Sequence, residues 1–108
     1  MQNGYAYLWE FQVRPGLERE FERHYAAAGT WAQLFRRSPA YIETLLLKDS
    51  AVARRYVTLD RWRSEEGYRE FRSAFAQAYA ELDAECERLT VAERSLGTFT
   101  ELPETGRT

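Results

Sequence analysis

Residues 56–71 read YVTLDRWRSEEGYREF, and this stretch joins a strand to a helix with almost no linker. Its first half, which ends at Trp62, is rich in aromatic, branched and aliphatic side chains, and these favour a strand over residues 55–62. Ser64 is a good helix N-cap, and the two glutamates after it lie where negative charge suits the helix dipole. The stretch therefore predicts a strand followed at once by a helix.

Two further strands are predicted from side-chain alternation and turn residues. Residues 5–13 alternate large aromatic side chains with smaller or polar ones, and the Arg-Pro-Gly sequence at 14–16 ends this strand. Residues 41–48 also fit a strand. Because a polar turn follows it, this strand is expected to pair with residues 55–62 as a hairpin.

A helical region separates the first two strands. Residues 17–28 carry apolar side chains at three- and four-residue intervals with charged residues between them, and Gly29 interrupts this pattern. Thr30 and Gln33 have the spacing of a capping box. They predict a second short helix over residues 31–37.

A long apolar stripe follows Ser64 in the sequence. Its members advance by three or four positions, which predicts one continuous helix; they are Tyr68, Phe71, Phe75, Tyr79, Leu82, Cys86 and Leu89. Residues 90–93 repeat the capping-box spelling and are predicted to form a turn. Residues 94–101 are predicted to form the last strand.

The element order is strand, helix, strand, strand, helix, strand, which is that of the ferredoxin-like split βαβ fold. It predicts an α+β domain with a four-stranded antiparallel sheet and both helices on one face. Residues 1–102 are assigned to this domain, and residues 103–108 to a flexible C-terminal tail. Residues 102–106 spell LPETG, which matches a sortase signal, but only two residues follow, so we interpret the match as chance or as a tail sequence.

The sheet face away from the helices is expected to be apolar. The first strand would contribute Leu8. The second would contribute either Ile42 and Leu46 or Leu45 and Leu47. The third would contribute Val57 together with Leu59 or Tyr56, and the fourth Leu96 or Phe99. Left open, these would form a larger apolar patch than monomers normally expose. The simplest cover is a second copy of the sheet with twofold symmetry, which predicts a homodimer and a dimeric α+β barrel.

Composition excludes several classes of protein. The 108 residues contain 15 Lys and Arg against 17 Asp and Glu, with the signs interspersed, so no electropositive face for nucleic acid is expected. No apolar run is long enough to span a membrane, and no signal pattern opens the chain. Cys86 is the single cysteine, which fits a reducing compartment. A cytoplasmic protein with no nucleic-acid or membrane partner is expected.

His24 is the only histidine and is the candidate catalytic base. Its ordinary pKa suits proton transfer near neutral pH, and it shares a helix face with Phe21 and precedes Trp31 by seven residues. The alternative is a histidine at the core boundary beside solvent-facing Arg23.

A surplus of aromatic residues should converge between the sheet and the helices. The candidate substrate-binding residues are Trp9, Tyr25, Trp31, Trp62, Phe71, Phe75 and Tyr79. Such rings would suit a flat apolar ligand, although an aromatic stripe on a helix is also ordinary core packing. For Trp62 the two interpretations are a ring that stacks on the ligand and a ring that fills the core.

Asp60 and Cys86 are two further residues that could carry chemistry. Asp60, with Thr58 on the same strand face, is expected to form an ion pair with Arg61 or Arg55, the alternative being a base in a cavity. Cys86 continues the long stripe and is interpreted as a small core residue. One His and one Cys do not make a ligand set, so no metal site is expected.

The stretch at residues 56–71 resembles the antibiotic biosynthesis monooxygenase-like family of dimeric α+β barrels. Residues 7–16, YLWEFQVRPG, and residues 31–41, WAQLFRRSPAY, are similar to the corresponding stretches of such proteins. The resemblance extends over residues 5–102 and implies the same fold.

The resemblance does not imply one function. The family includes cofactor-free monooxygenases that act on phenolic polyketides, haem-degrading enzymes, small isomerases and proteins with no known reaction. The haem-degrading branch relies on a histidine on the helix after the third strand and on a nearby asparagine. Here no histidine lies between residues 64 and 89, and Trp9 stands in the matching part of the first strand. Haem is therefore disfavoured, and no cofactor is expected.

Two functional hypotheses remain open. The first is a small-molecule enzyme, a cofactor-independent monooxygenase that binds an aromatic or phenolic substrate between sheet and helices and uses His24 as the base. The second is a non-catalytic homodimeric domain that binds a small aromatic ligand or has a structural or regulatory role. The second hypothesis predicts a pocket without a titratable group in reach.

Overall fold

The computed structural model describes residues 3–103, which form an antiparallel sheet covered on one face by helices. The elements are β1 Gly4–Val13, α1 Glu18–Tyr25, α2 Thr30–Phe35, β2 Tyr41–Lys48, β3 Arg55–Trp62, α3 Glu65–Ala74, α4 Ala76–Cys86 and β4 Thr90–Glu101. The strand order across the sheet is β2-β3-β1-β4. The predicted α+β ferredoxin-like fold is confirmed. The predicted tail beyond residue 103, and with it most of the LPETG sequence, lies outside the described residues.

Local signals account for the first half of the fold. The strands β2 and β3 have the predicted bounds, and the Ser64 hydroxyl caps α3 by accepting the Gly67 N–H at 3.0 Å. The predicted capping box before α2 is wrong, because Gly29 is the N-cap and no side chain caps this helix. The Thr30 hydroxyl is instead hydrogen-bonded to His24.

The predicted long helix is two helices, α3 and α4, that meet at Phe75. Phe75 has backbone angles of φ −118° and ψ 31°, outside the helical range. The break has a packing reason, since α3 contacts β1 and β3 whereas α4 contacts α2. One straight helix could not follow both surfaces. The apolar stripe runs through the break unchanged, which is why its spacing does not reveal it.

The last strand is longer than predicted. Residues 90–93 are extended and not a turn, because Thr90 pairs with Val13 and Glu93 pairs with Phe11 at the end of β1. The Thr90 and Glu93 side chains do contact each other, at 3.3 Å. The two side chains of the capping-box pattern thus contact each other within a strand, where no helix begins.

The two faces of the sheet have different compositions. On β3 the residues Tyr56, Thr58, Asp60 and Trp62 are buried toward the helices, while the residues between them face outward. The outward face carries an apolar row that crosses all four strands, Leu45–Leu59–Leu8–Gly97.

Of the alternatives for the outward face, three are observed: Leu45 with Leu47, Val57 with Leu59, and Phe99. Leu45 is 42% exposed, Leu47 52% and Phe99 48%. Leu46 and Tyr56 belong to the inner face. The outward face therefore carries apolar side chains that are uncovered in a single chain.

Aromatic and aliphatic residues fill the space between the inner face and the helices. Trp62 and Phe71 are buried with ring centroids 5.1 Å apart. Cys86 is a buried free cysteine, which confirms its interpretation as a small core residue. None of the helices in residues 3–103 is long and apolar enough to cross a membrane. Within the same range, no three acidic, histidine or cysteine side chains are grouped to hold a metal ion.

We predict that Ser64→Ala lowers the free energy of unfolding by about 1 kcal/mol, because it removes the side-chain acceptor for the Gly67 N–H. Urea denaturation measures the change. Ser73→Ala, at an exposed position of the same helix, serves as the matched control and should change stability little. Equal stability of the two variants would contradict the assigned cap.

Candidate functional site

A cavity of about 290 Å³ lies between the inner face of the sheet and the helices. Residues from all four strands and all four helices line it: Tyr7, Trp9, Phe11, Tyr25, Trp31, Phe35, Thr44, Thr58, Asp60, Arg72, Tyr79, Asp83 and Glu93. The volume is close to the lower end of the range for ligand pockets, ~300–1,000 Å³. The lining is aromatic with a few polar groups, which is the usual composition of a small-molecule site.

The cavity has a buried interior and an exposed mouth. The interior residues are mainly aromatic, together with Thr44, Thr58 and Asp60. At the mouth lie the exposed side chains of Arg72, Asp83 and Glu93. A ligand in the interior would therefore meet one buried carboxyl group.

Asp60 is that carboxyl group, and it is only 7% exposed. The Thr44 hydroxyl on the neighbouring strand donates to Asp60 Oδ1 at 2.5 Å. Because this bond uses the only hydrogen of the Thr44 hydroxyl, the Tyr41 hydroxyl, 2.7 Å from Thr44 Oγ1, donates in turn to Thr44. The three side chains form a directed chain of hydrogen bonds that ends on Asp60.

No cation pairs with Asp60 among the described residues. Burial raises the pKa of Asp60 to about 6, and the hydrogen bond from Thr44 opposes this shift only in part. The expected ion pair with Arg61 or Arg55 is wrong, because both arginines lie on the outward face. Asp60 lines the cavity, as the alternative interpretation requires, and its role as a base stays a prediction.

The two arginines of β3 have partners of their own on the outward face. Arg61 donates to Glu43 at 2.6 Å and to Glu101 at 2.8 Å. Arg55 pairs with Asp49 at 2.7 Å and also with Glu10. These ion pairs leave Asp60 as the buried acid of the inner face of β3.

Tyr7 is the direct neighbour of Asp60 across the pairing of β1 with β3. Its hydroxyl accepts a hydrogen bond from Trp62 Nε1 at 3.3 Å. Burial raises the pKa of Tyr7 well above its ordinary value, and the nearby Asp60 adds to the shift. Tyr7 therefore stays a neutral hydroxyl at the cavity wall.

The mouth is bounded by a cation stacked on a ring. The guanidinium carbon of Arg72 lies 3.8 Å from the ring centroid of Tyr79, and Arg72 Nη1 donates to the Tyr68 hydroxyl at 2.9 Å. Asp83 and Glu93 line the same opening. The opening thus carries charges of both signs.

The structure brings together four of the seven predicted substrate-binding residues at the cavity: Trp9, Tyr25, Trp31 and Tyr79. The other three do not line it. Trp62 and Phe71 are in the core, which agrees with the packing interpretation of Trp62, and Phe75 lies at the helix break with its ring 5.9 Å from the Arg37 guanidinium. A binding role for the four stays a prediction.

Several lining residues were not among the sequence-derived candidates. The most important are Tyr7, Thr44 and Arg72. The two-residue period of β1 places Tyr7 on the same face as Trp9, so alternation could have found it. Thr44 and Arg72 carry no local signal, because only strand pairing and the helix break bring them to the cavity.

His24 is on α1, where its side chain contacts α2 and does not line the cavity, and it is only 1% exposed. Arg23 Nη2 lies 3.3 Å from His24 Nε2, so Nε2 accepts and Nδ1 donates to the Thr30 hydroxyl at 3.1 Å. Burial and the Arg23 charge lower the pKa of His24. Both ring nitrogens are engaged, and the predicted catalytic role gains no support from this placement.

Comparisons with known proteins support the fold. No family model and no curated protein matches the chain. Among solved structures, SnoaB, a cofactor-independent oxygenase from Streptomyces nogalater, has a TM-score of 0.76 with 20% identity and covers 97% of this chain and 99% of its own. A Nitrosomonas europaea protein proposed to be an antibiotic biosynthesis monooxygenase has a TM-score of 0.72 with 12% identity, over 98% of this chain and 97% of its own.

A third solved structure, from Bordetella bronchiseptica and proposed to have the same activity, has a TM-score of 0.66 with 20% identity and covers 94% of this chain and 100% of its own. At these identities the likeness establishes the fold. The chain has the α+β fold of the antibiotic biosynthesis monooxygenase-like proteins, and the resemblance recognised in the sequence is confirmed at that level.

We predict that Asp60→Asn stabilises the protein at about pH 8 by about 2 to 3 kcal/mol. The folded state holds the Asp60 proton up to about pH 6, whereas an aspartate in the unfolded chain has its ordinary pKa of 3.8. Stability of the unsubstituted protein is therefore lost as the pH rises from about 4 through about 6, and the neutral amide avoids this loss.

Urea denaturation at several pH values tests the prediction. The difference between Asp60→Asn and the unsubstituted protein should vanish below about pH 4, where the carboxyl is protonated in both states. Asp83→Asn, at the exposed mouth, is the matched control. A stability difference for Asp60→Asn that does not change with pH would contradict the raised pKa of this buried carboxyl.

Proposed function

We propose that this chain is a cofactor-independent oxygenase that binds a flat phenolic or ketonic aromatic substrate in the cavity and uses Asp60 as the base. The observation that carries the proposal is a buried carboxyl without a cation partner in the described residues, facing an aromatic cavity. The fold shared with SnoaB, a cofactor-independent oxygenase, supports it.

The reaction needs only proton transfers from the protein. Asp60 removes a proton from the substrate, and the resulting delocalised anion supplies electrons to O2. One oxygen atom bonds to the ring carbon, and the proton returned by Asp60 to the peroxide completes a hydroperoxide. The O–O bond of the hydroperoxide then breaks. The departing OH leaves as water with the second hydrogen of that carbon, and a carbonyl group remains. A CH2 group and O2 thus become C=O and H2O.

The surroundings of Asp60 favour the first proton transfer. In an apolar cavity a localised carboxylate is costly, whereas a charge spread over fused rings is less so. Transfer of the proton to Asp60 removes the localised charge, and the Thr44 hydroxyl can remain bonded to the neutral acid. A base with a pKa of about 6 is also ionised at neutral pH.

The cavity size restricts the substrate. A volume of about 290 Å³ corresponds to roughly ten water molecules at ~30 Å³ each. One planar molecule of roughly two or three fused rings matches this volume and the aromatic walls. Both the volume and the lining thus favour a small fused-ring aromatic substrate.

The alternative of a non-catalytic binding domain predicts a pocket without a titratable group in reach. Asp60 in the interior and Arg72 at the mouth count against it. A domain that only bound an apolar ligand would gain nothing from a buried carboxyl that costs folding free energy. The oxygenase proposal gives that carboxyl a use.

We also propose that the chain works as a homodimer formed through the outward sheet face. The apolar row Leu45–Leu59–Leu8–Gly97 is flanked on both sides by ion pairs centred on Arg61 and Arg55. A central apolar strip with a charged rim is the arrangement found in specific interfaces. Because the cavity lies on the other face, the dimer would leave its mouth open.

We predict that oxygen uptake with anthrone as substrate increases as the pH rises through about 6, because Asp60 must lose its proton to act as a base. Asp60→Asn should lower kcat/KM by roughly 100-fold or more. Glu70→Gln, at an exposed position of α3, is the control variant and should keep the activity.

A parallel variant separates the two candidate bases. His24→Asn should keep kcat per folded protein if Asp60 is the base, although the loss of the bond to Thr30 lowers its stability. Full activity in Asp60→Asn together with loss in His24→Asn would reverse the assignment. The absence of enzyme-dependent uptake across a series of anthrones and naphthols would refute the proposed function.

We predict that the protein sediments as a dimer at micromolar concentration and that Leu59→Lys converts it to a monomer, because a charge at the centre of the apolar row would be buried without a partner. Val52→Lys is the control, since Val52 is also exposed but lies in the turn between β2 and β3. A well-folded monomer of the unsubstituted protein would refute the dimer.

A further inference from the structure

The hydroxyl hydrogen of Tyr7 has no partner among the described residues. Indole Nε1 can only donate a hydrogen bond, so in its contact with Trp62 the Tyr7 oxygen must accept. The hydrogen of the Tyr7 hydroxyl then points elsewhere, and no other hydrogen bond of this group is found in residues 3–103. Tyr7 is one of the residues that line the cavity, so a ligand bound there would lie against Tyr7.

Tyr7 and Asp60 stand side by side on the cavity wall. They are direct partners in the pairing of β1 with β3, which places their Cβ atoms ~4.5–5.5 Å apart on the same face. One is a carboxylate that accepts a proton, and the other is a neutral hydroxyl that donates a hydrogen bond. A ketone with an acidic proton on the adjacent carbon, or on a carbon conjugated to it, needs these two groups to form its enol.

We propose that Tyr7 and Asp60 act together as an enolisation pair, so that the chain catalyses proton exchange at an enolisable aromatic ketone even without O2. Asp60 takes the proton from carbon, the C–H electron pair moves toward the carbonyl, and the Tyr7 hydroxyl stabilises the negative charge on the carbonyl oxygen. The proton on Asp60 exchanges with one from solvent, and transfer of that solvent-derived proton back to the same carbon regenerates the ketone. No oxidant enters the exchange.

Trp62 is the positioning residue of this pair. The Trp62 ring is fully buried, and its N–H donates to the Tyr7 oxygen and so holds this oxygen in place. Because that side of the oxygen is occupied by a donor, the hydrogen of the Tyr7 hydroxyl points away from Trp62. A hydroxyl that accepts one hydrogen bond also becomes a better donor of the next. This gives a use to the core tryptophan at the end of β3, which does not itself line the cavity.

The inference rests on the proposed function only in using the same cavity and base, and an experiment without oxygen separates the two. The protein is incubated anaerobically with anthrone in D2O, and the loss of the methylene proton signal is followed by NMR. Exchange should be faster than in buffer alone. Tyr7→Phe should slow it roughly 100-fold, the effect of removing one donor to a developing oxyanion, and Asp60→Asn should return it to the buffer rate.

Tyr5→Phe is the matched control, because Tyr5 lies on the same strand and face but does not line the cavity. A second measurement is independent of rate: the infrared C=O stretch of bound anthraquinone should lie at lower wavenumber with the unsubstituted protein and Tyr5→Phe than with Tyr7→Phe. An unchanged stretch in Tyr7→Phe would overturn the assigned hydrogen bond.

The outcomes distinguish the two proposals. Catalysed exchange without oxygen uptake in air would support the enolisation pair and refute the oxygenase. Oxygen uptake without anaerobic exchange would support the oxygenase activity and overturn the enolisation pair, and with it the removal of a proton from carbon by Asp60 as the first step. Exchange at the full rate in Tyr7→Phe would overturn the role of Tyr7 while leaving Asp60 as the base.

Discussion

The register of β3 between β2 and β1 is the constraint on which the site and the outward face both depend. Side chains of a strand alternate between faces, so this register decides that Asp60 and Trp62 lie inward while Leu59 and Arg61 lie outward. A shift by one residue would bury an arginine and expose the carboxyl group. Pairing on both sides of β3 therefore fixes the core, the cavity and the apolar row together.

The same register buries the Asp60 carboxyl, which lowers the stability of the fold when it is ionised. A buried carboxyl whose pKa is about 6 lowers stability at neutral pH by about 2 to 3 kcal/mol, a large fraction of the ~5–15 kcal/mol of a typical domain. The aromatic core around it supplies the compensating burial, with Trp62 and Phe71 fully enclosed. Rigid packing thus supports a polar group that the core would otherwise exclude.

Sequence patterns predicted the parts of the fold that depend on local chemistry. The Ser64 cap and the alternation of β2 and β3 follow from neighbouring residues alone. The break at Phe75 did not, because the apolar spacing of α3 continues into α4 and only contacts with different partners separate them. Alternation shows that Asp60 and Arg61 lie on opposite faces of β3, but the sequence of β3 alone does not say which face meets the helices. The chemistry of His24 suits a base, but the folded chain holds this side chain against Thr30, away from the cavity.

The stacked contact at the cavity mouth has a consequence for how a ligand gets in. Arg72 precedes the helix break and Tyr79 follows it, so the contact bridges the ends of α3 and α4. The Arg72 side chain is exposed whereas Tyr79 is half-buried. A cation–π contact at an exposed site is worth only ~0.5–1 kcal/mol, and exposed side chains change rotamer in picoseconds to nanoseconds. Rotation of the Arg72 side chain, with loss of its hydrogen bond to Tyr68, would therefore widen the mouth for a ligand without a movement of the backbone.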